Sequence, residues 1–445
     1  MKKDGIGLFA CVTMIAGGMI GSAIFSLSGL TMYKAGPSAV LSWIIAAAIM
    51  LIYGLVCAEL SGIFPRSGGV YVFPARALGK SGRDGAFWGW ISTWGYINAN
   101  IVAVAFAAIY VATYLGAGFA LPDGLQIPLA IAAIALCLTL NSIRFSIAGR
   151  LNNILVGLLL ACMLTFVCVA LFGGEYDASM LIPFFSQGSI PYTGFLAAVP
   201  TAMVGYGSVV AVAFMVSEVR DPNRNVPRAI LIAMGIVVLI YVLMIVATLG
   251  LVSAQYLADN PGMRYIPIYA ACFTKLMTEF PWIAKVVSVA AVLALLTTML
   301  VVLALTGRAL QAASQDGLMP KSLARNGRFG TPVAATGVIA IAAAILSCFP
   351  SATEVIVGFG ALFAVVTIVI NIVSLYVARK TLPTVSERFH APGGQILPAI
   401  ALVLIVICYI PDIISGGWKI WAFTILWYAV GLAIFRFSSL GKTQK

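Results

Sequence analysis

Long stretches without a charged residue restrict what this chain can fold into. A transmembrane helix needs about 20 mainly apolar residues, and twelve stretches without Asp, Glu, Lys, Arg or His offer room for one helix each. They comprise residues 5–33, 35–58, 85–122, 124–143, 151–174, 178–217, 229–258, 286–307, 329–353, 355–378, 391–411 and 420–435. In lipid every backbone polar group must be paired within the protein, which helices achieve over runs of this length. We therefore predict an all-α integral membrane protein with 12 transmembrane helices.

The composition excludes several other classes of protein. Hydrophobic residues make up 62% of the chain and charged residues 9%, against about 25% charged residues in soluble domains. The net charge of +12 does not indicate a nucleic-acid partner, because the Lys and Arg residues stand singly or in pairs between apolar runs; the expected surroundings are membrane lipids. The sequence contains no P-loop and no C-x-x-C motif, so we expect neither a cofactor nor a metal.

The distribution of basic residues predicts the orientation in the membrane. If the N-terminus lies in the cytoplasm, 21 of the 26 Lys and Arg residues fall on the cytoplasmic side and 5 on the outer side, as the positive-inside rule requires. We expect both termini in the cytoplasm and a multi-pass protein of the cell inner (cytoplasmic) membrane; a homodimer is one assembly open to it. The basic segments 66–83 and 308–328 are expected to lie along the inner leaflet as amphipathic segments.

Two of the predicted helices contain residues that interrupt a helix. Helix 1 has Gly17, Gly18 and Gly21 near mid-depth, and helix 6 has Pro200 followed by residues 205–208 (GYGS). Because helices 1 and 6 cross the membrane in opposite directions, an inverted repeat of five plus five helices is the simplest interpretation. Alternatively, Gly17 and Gly21 form a Gly-x-x-x-Gly packing face and the helix stays continuous.

Interrupted helices at matching positions are typical of a transporter. Free N–H groups at a break attract a carboxylate and free C=O groups attract an ammonium, and an α-amino acid carries both. A channel would be expected to show a constriction formed by rings of carbonyls or charges. An enzyme would need a catalytic cluster, and no histidine or carboxylate pair falls at mid-depth. A receptor that binds a ligand without transport is the remaining alternative.

Four motifs, in order, resemble the amino acid–polyamine–organocation transporter family. They are residues 20–25 (IGSAIF), residues 58–60 with 65–71 (AEL and PRSGGVY), residues 217–230 (SEVRDPNRNVPRAI), and residues 315–320 with 330–333 (QDGLMP and GTPV). The resemblance implies the leucine-transporter fold, with discontinuous helices 1 and 6. It implies an inverted repeat in residues 1–172 (helices 1–5) and 173–380 (helices 6–10), followed by helices 11 and 12 in residues 381–445.

The resemblance also implies which residues bind the substrate. They are Ile20, Gly21, Ser22, Ala23 and Ile24 in helix 1, Asn100 in helix 3, and Gly205, Tyr206, Gly207 and Ser208 in helix 6. Tyr206 would be the aromatic gate over the bound substrate, and a packed interior tyrosine is the alternative. For Asn100 the alternative is a hydrogen bond between helices.

Departures from the family pattern bear on the substrate. Ala23 stands where the family usually has glycine, and its methyl group narrows the approach of a ligand to the backbone. Val210 aligns with the helix 6 glutamate of the diamine and basic amino acid exchangers, and no carboxylate lies in either break. Leaving a second ammonium unpaired in a desolvated pocket would cost several kcal/mol, in order of magnitude. We therefore expect an amino acid with a neutral side chain, with an amine, a polyamine or an amino acid derivative as the alternative.

The coupling mechanism is less constrained. Leu159 occupies the helix 5 position where some relatives carry a lysine, and His390, the single histidine, falls in a predicted loop. A proton relay inside the membrane therefore lacks an obvious member. We expect an exchanger in preference to a proton symporter, and sodium coupling through hydroxyls such as Thr297 and Thr298 stays open.

Overall fold

The computed structural model describes residues 5–21, 23–79, 81–143, 145–382, 388–415 and 417–438. Within these ranges the secondary structure is helical, apart from an isolated β-bridge between Ile6 and Val219. The α-helices are α1 (Leu8–Met19), α2 (Ser28–Ala35), α3 (Ala39–Ile63), α4 (Gly69–Ala77), α5 (Gly82–Phe119), α6 (Gln126–Asn141), α7 (Phe145–Phe172), α8 (Gly194–Val204), α9 (Ala211–Phe214), α10 (Pro222–Leu249), α11 (Ala254–Asp259), α12 (Pro267–Ala271), α13 (Ile283–Gln315), α14 (Val333–Ser347), α15 (Pro350–Thr381), α16 (Ile396–Ser415) and α17 (Gly417–Phe437).

Many of these helices are apolar enough for a bilayer. Among the described residues, six stretches have the length and composition of a membrane span: Leu8–Ile63, Gly82–Phe119, Leu151–Phe172, Pro222–Leu249, Ile283–Gln315 and Leu362–Thr381. A bent pair formed by Gly194–Val204 and Gly207–Phe214 would add a seventh, and four further apolar helices are 10–17 residues long. The chain is a multi-pass membrane protein built from helices.

The first interruption lies between α1 and α2. Helix α1 ends at Met19, Ile20 and Gly21 are not helical, and the chain resumes as a π-helical turn over Ala23–Leu27. Gly21 is required here by packing, because a Cβ at this position would overlap Oγ1 of Thr298 on α13. The residue that follows it, Ser22, lies outside the described residues.

The second interruption separates α8 from α9. Helix α8 ends at Val204, and a short 3-10 turn over Gly207–Val210 leads into α9. The helix axis bends by 44° between Gly194–Val204 and Gly207–Phe214. Both breaks predicted from the glycines are thus present as departures from helical geometry, and they face each other through the contact of α1 with the 3-10 turn.

Helices α5 and α13 form the centre of the bundle and pack along each other. Helix α1 contacts α10, α13 and α7, while α3 lies between α10 and α8. Helix α16 packs against α3 and α8, and α17 packs against α5. Both interrupted helices therefore pack against continuous ones.

The two basic segments expected along the inner leaflet are partly buried in the protein. In α4, Val70, Tyr71 and Phe73 are fully buried, and the helix packs on α5 and α15, whereas its Arg76 side chain is 53% exposed. Helix α13 continues to Gln315, and its Arg308 is only 7% exposed, whereas residues 319–328 are mostly exposed or half-buried. Protein helices thus cover the apolar face of α4, and contact of the exposed parts with the inner leaflet stays a prediction.

Candidate functional site

A cavity of about 150 Å³ lies beside the two interruptions. Residues from α1, α3, α5, α8, α13, α15 and α16 line this central cavity, together with the 3-10 turn. Apolar cavities of about this volume can hold a ligand of the size of benzene. The central cavity therefore has room for the side chain of a small molecule whose polar groups lie at the breaks.

Four of the residues predicted to bind the substrate line the central cavity: Ala23, Asn100, Gly207 and Ser208. The others are placed beside it. Ile20 and Ile24 are fully buried, Gly21 packs on Thr298, and a Cβ on Gly205 would come within 2.7 Å of the Trp43 ring. The sequence prediction for Ser22 falls outside the described residues.

The side chain of Tyr206 does not line the central cavity. Its ring is fully buried and packs against Trp43 and Tyr241, with ring centroids 6.0 and 5.3 Å away. Its hydroxyl has no hydrogen-bond partner among the described residues. In this conformation Tyr206 is a packed interior side chain, and acting as a gate would require its ring to turn toward the cavity.

The wall of the central cavity is mostly apolar. None of the described residues that line it is charged, and Met19, Met50 and Met203 contribute flexible thioether side chains beside Val210 and Val302. Methionine side chains adapt to ligands of different shape. Val210 is 1% exposed, so the position where some relatives carry a glutamate adds apolar surface to the wall.

Several residues that line the central cavity are polar. They include Tyr53, Tyr96, Asn100, Thr367 and Tyr409. Two of these already have partners: Asn371 donates a hydrogen bond of 2.9 Å to the Tyr53 hydroxyl, and Thr367 donates one of 2.9 Å to the Ser92 carbonyl. Among the described residues the side-chain Nδ2 of Asn100 meets no acceptor at hydrogen-bond geometry, and its side chain lies beside that of Tyr96.

Side-chain hydroxyls reach the carbonyl groups at the breaks. Thr298 on α13 donates to the Gly17 and Gly18 carbonyl oxygens over 3.4 and 3.2 Å. Tyr241 on α10 approaches the carbonyl oxygens of Met19 and Gly205. Sequence reasoning missed Tyr241; the signal that could have found it is a tyrosine in the middle of an otherwise apolar span.

Aromatic rings close the central cavity on the side of residues 254–276. Phe106 lines the cavity and packs on Tyr110 at 4.5 Å, and both rings contact Tyr265. The neighbouring Arg264 lies 3.9 Å above the Tyr33 ring and donates to the carbonyls of Leu257 and Ala258, at the end of α11.

Charged groups close the opposite side, where the N-terminal residues lie. Arg308 forms a bidentate ion pair with Glu218, with N–O distances of 2.5 and 2.8 Å. Asp316 binds Arg66 at 3.2 Å and accepts a hydrogen bond from the Tyr71 hydroxyl at 3.1 Å. These contacts tie the end of α13 to the segments that follow α3 and α9.

A family comparison identifies what kind of protein has this arrangement. Residues 6–435 match the family described as amino acid permease. The chain belongs to the amino acid permease family. This match covers nearly the whole chain, including both interruptions and the central cavity.

Known proteins of the family resemble the chain over most of its length. The branched-chain amino acid permease BcaP of Bacillus subtilis is 26% identical, over 98% of this chain and 92% of its own. The methylthioribose transporter of the same organism is 26% identical, over 94% and 90%. Its serine/threonine exchanger SteT is 25% identical, over 57% and 56%. Members of the family thus differ in substrate.

Proposed function

We propose that this permease carries a neutral amino acid with an apolar side chain across the inner membrane by alternating access. The observation that carries the proposal is the central cavity beside two interrupted helices, because no charged residue lines its wall in the described part of the chain. A second charge on the substrate would be desolvated there without a partner, which costs several kcal/mol, in order of magnitude. The name of the relative BcaP, a branched-chain amino acid permease, supports the same substrate class.

We propose the twelve-span arrangement with an inverted repeat as the frame of this site. The stretch Leu8–Ile63 is 56 residues long, enough for two spans at about 20 residues each. Counting it as two, the bent pair as one and each of the four shorter apolar helices as one gives twelve spans. The interruptions then fall in spans 1 and 6, one in each proposed repeat, residues 1–172 and 173–380.

In the proposed binding mode, the carboxylate and ammonium of the amino acid lie at the two breaks and its side chain lies in the central cavity. The N–H groups near Gly21 and Ala23 would bind its carboxylate, because the helical segment after the first break begins at Ala23; the predicted contact with Ser22 falls outside the described residues. The carbonyl oxygens of Met19 and Gly205 would accept from its ammonium. Its side chain would lie between Met50, Met203 and Val302, which line the cavity, within reach of Asn100.

For the transport cycle we propose exchange of one solute for another, with one closure of the cavity on the inner side and one on the outer side. With the termini in the cytoplasm, the ion pairs of Glu218 and Asp316 form the inner closure and the aromatic contacts of Tyr265 form the outer closure. Within the described ranges, no charged residue that could relay a proton lines the cavity, which favours exchange over proton symport. The alternative substrate is the one in the name of a relative, methylthioribose, a neutral thioether sugar.

A ligand panel followed by flux measurement tests the proposal. The purified protein in detergent is heated with each of the twenty amino acids, with their decarboxylated amines, and with methylthioribose, since a ligand of the folded state raises the melting temperature. We expect stabilisation by apolar amino acids and none by amines. Proteoliposomes loaded with the best ligand should then take up labelled ligand faster than empty ones. Stabilisation by amines or methylthioribose alone would contradict the assignment.

A further inference from the structure

One tyrosine hydroxyl lies between the ends of the two interrupted helices. The Oη of Tyr241, on α10, is 2.5 Å from the Met19 carbonyl oxygen and 3.1 Å from that of Gly205. Met19 is the last residue of α1 and Gly205 follows the last residue of α8. Among the described residues, no backbone N–H donates to either oxygen. A single side chain therefore bridges two helix ends that belong to different proposed repeats.

The two carbonyl groups are chemically alike. Each lies at the C-terminal, partially negative end of a helix and lacks an intrahelical partner, so the two oxygens repel each other when they converge. A tyrosine hydroxyl carries one proton and can satisfy one of them at a time, whereas each carbonyl oxygen has two lone pairs. Acceptor capacity is left over at both, and an ammonium group, with three donors, matches it.

The tyrosine ring is fixed by neighbours outside the central cavity. Trp43 packs edge-on against the Tyr241 ring at 4.8 Å, and its own Nε1 donates to Thr31 Oγ1 at 3.0 Å. Trp43 also fills the space beside Gly205, where a Cβ would come within 2.7 Å of its ring. Tyr241 is fully buried and does not line the central cavity. It can act on a ligand only through the two carbonyl groups.

We propose that Tyr241 is a positioning residue that holds the Met19 and Gly205 carbonyls at the separation needed to share the substrate ammonium. The inference rests on the proposed function. It assigns Tyr241 to recognition of the amino acid head group, in contrast to Asn100 and the methionines, which face the side chain. Loss of the hydroxyl should therefore weaken binding of every transported amino acid by the same factor and leave their ranking unchanged.

The test compares Tyr241→Phe with Tyr428→Phe in proteoliposome exchange. Both variants remove a buried tyrosine hydroxyl, but that of Tyr428, on α17, has no hydrogen-bond partner in the part of the chain that the structure describes, and its ring stacks on Phe363 at 5.7 Å, outside the central cavity. For Tyr241→Phe we expect KM for leucine and valine to rise by about 2- to 12-fold, the usual effect of one hydrogen bond, with kcat changed less. The preference for leucine over 2-hydroxy-4-methylpentanoate, which lacks the ammonium, should fall by the same factor. Tyr428→Phe should change neither.

Two outcomes would overturn the inference. An unchanged KM in Tyr241→Phe is one, and an equal loss for leucine and its hydroxy acid is the other, since this would indicate a structural role. If Tyr241→Phe does not fold, Trp43→Phe replaces it. This change loosens the packing around the Tyr241 ring but keeps its hydroxyl, so KM and the preference for leucine should change in the same direction by a smaller factor. Absence of leucine or other amino acid transport by the wild-type protein would instead refute the proposed function.

Discussion

Replacing Val210 by glutamate tests the link between the wall of the cavity and the substrate. Val210 is 1% exposed, lines the central cavity and has no charged residue beside it in the wall. A carboxyl group introduced there is desolvated and takes up a proton when no cation is present. A substrate with a cationic side chain would restore its charge and form an ion pair with it.

The magnitude follows from the strength of a hydrogen bond between the new carboxylate and a cationic substrate. A hydrogen bond to a charged group contributes about 1.5–3 kcal/mol, which is about a 10- to 150-fold change in affinity. We therefore expect the ratio of lysine to leucine affinity to rise by a factor within that range in Val210→Glu. The wall loses apolar surface at the same time, so leucine affinity itself should fall.

Competition against labelled leucine in proteoliposomes measures the ratio, and Val210→Gln is the matched control. Glutamine has nearly the shape of glutamate but no charge, so it should lower leucine affinity without raising lysine affinity. Equal lysine-to-leucine ratios in the two variants would refute the reasoning, because they would mean that residue 210 does not face the substrate side chain.

Three further predictions test other parts of the structure. Gly21→Ala should abolish exchange and destabilise the fold by about 1–3 kcal/mol, because the added methyl group overpacks against Thr298. Gly207→Ala should keep the melting temperature of the wild type, because no described atom lies within 4 Å of the added Cβ. Equal melting temperatures of the two variants would contradict this packing. Tyr206→Phe removes a buried hydroxyl without a partner among the described residues and should leave the melting temperature equal or higher, so a clear fall would indicate a hidden partner. Glu59→Gln should lower the free energy of unfolding by about 3–5 kcal/mol, because Glu59 is 1% exposed and pairs bidentately with Arg379. Asp316→Asn, at a carboxylate that is 25% exposed, should lower it by about 1 kcal/mol or less. Thermal unfolding of both variants measures the difference, and a larger loss of stability in Asp316→Asn would contradict this prediction.

The charged pairs show how far the sequence reaches into the tertiary structure. From the sequence, Glu59 and Glu218 could be placed near the ends of their helices, but their partners could not be chosen. Arg379 lies 320 positions after Glu59 and Arg308 lies 90 after Glu218. Such pairs depend on which helices become neighbours, and that is decided by packing over the whole bundle.

Tyr206 shows the same limit within the site. Its place next to Gly205 indicated a residue at the break, and the backbone there is indeed not helical. The direction of its ring depends on Trp43 and Tyr241, which come from α3 and α10. A sequence pattern locates a residue along the chain, whereas its side-chain direction is set by neighbours from other helices.

The sequence by itself determined that most of the chain lies in lipid, where its two helices are interrupted, and that the breaks carry no charge. These properties follow from the residue types at each position, namely apolar runs, glycines and the absence of charged residues. Only the tertiary structure decided that α4 is buried, that Asn100 and Val210 share a wall with Met50 and Met203, and that Tyr241 bridges the breaks. The physical reason is that helices in lipid are apolar on all sides, so the hydrophobic pattern does not distinguish a lipid-facing side from a protein-facing one.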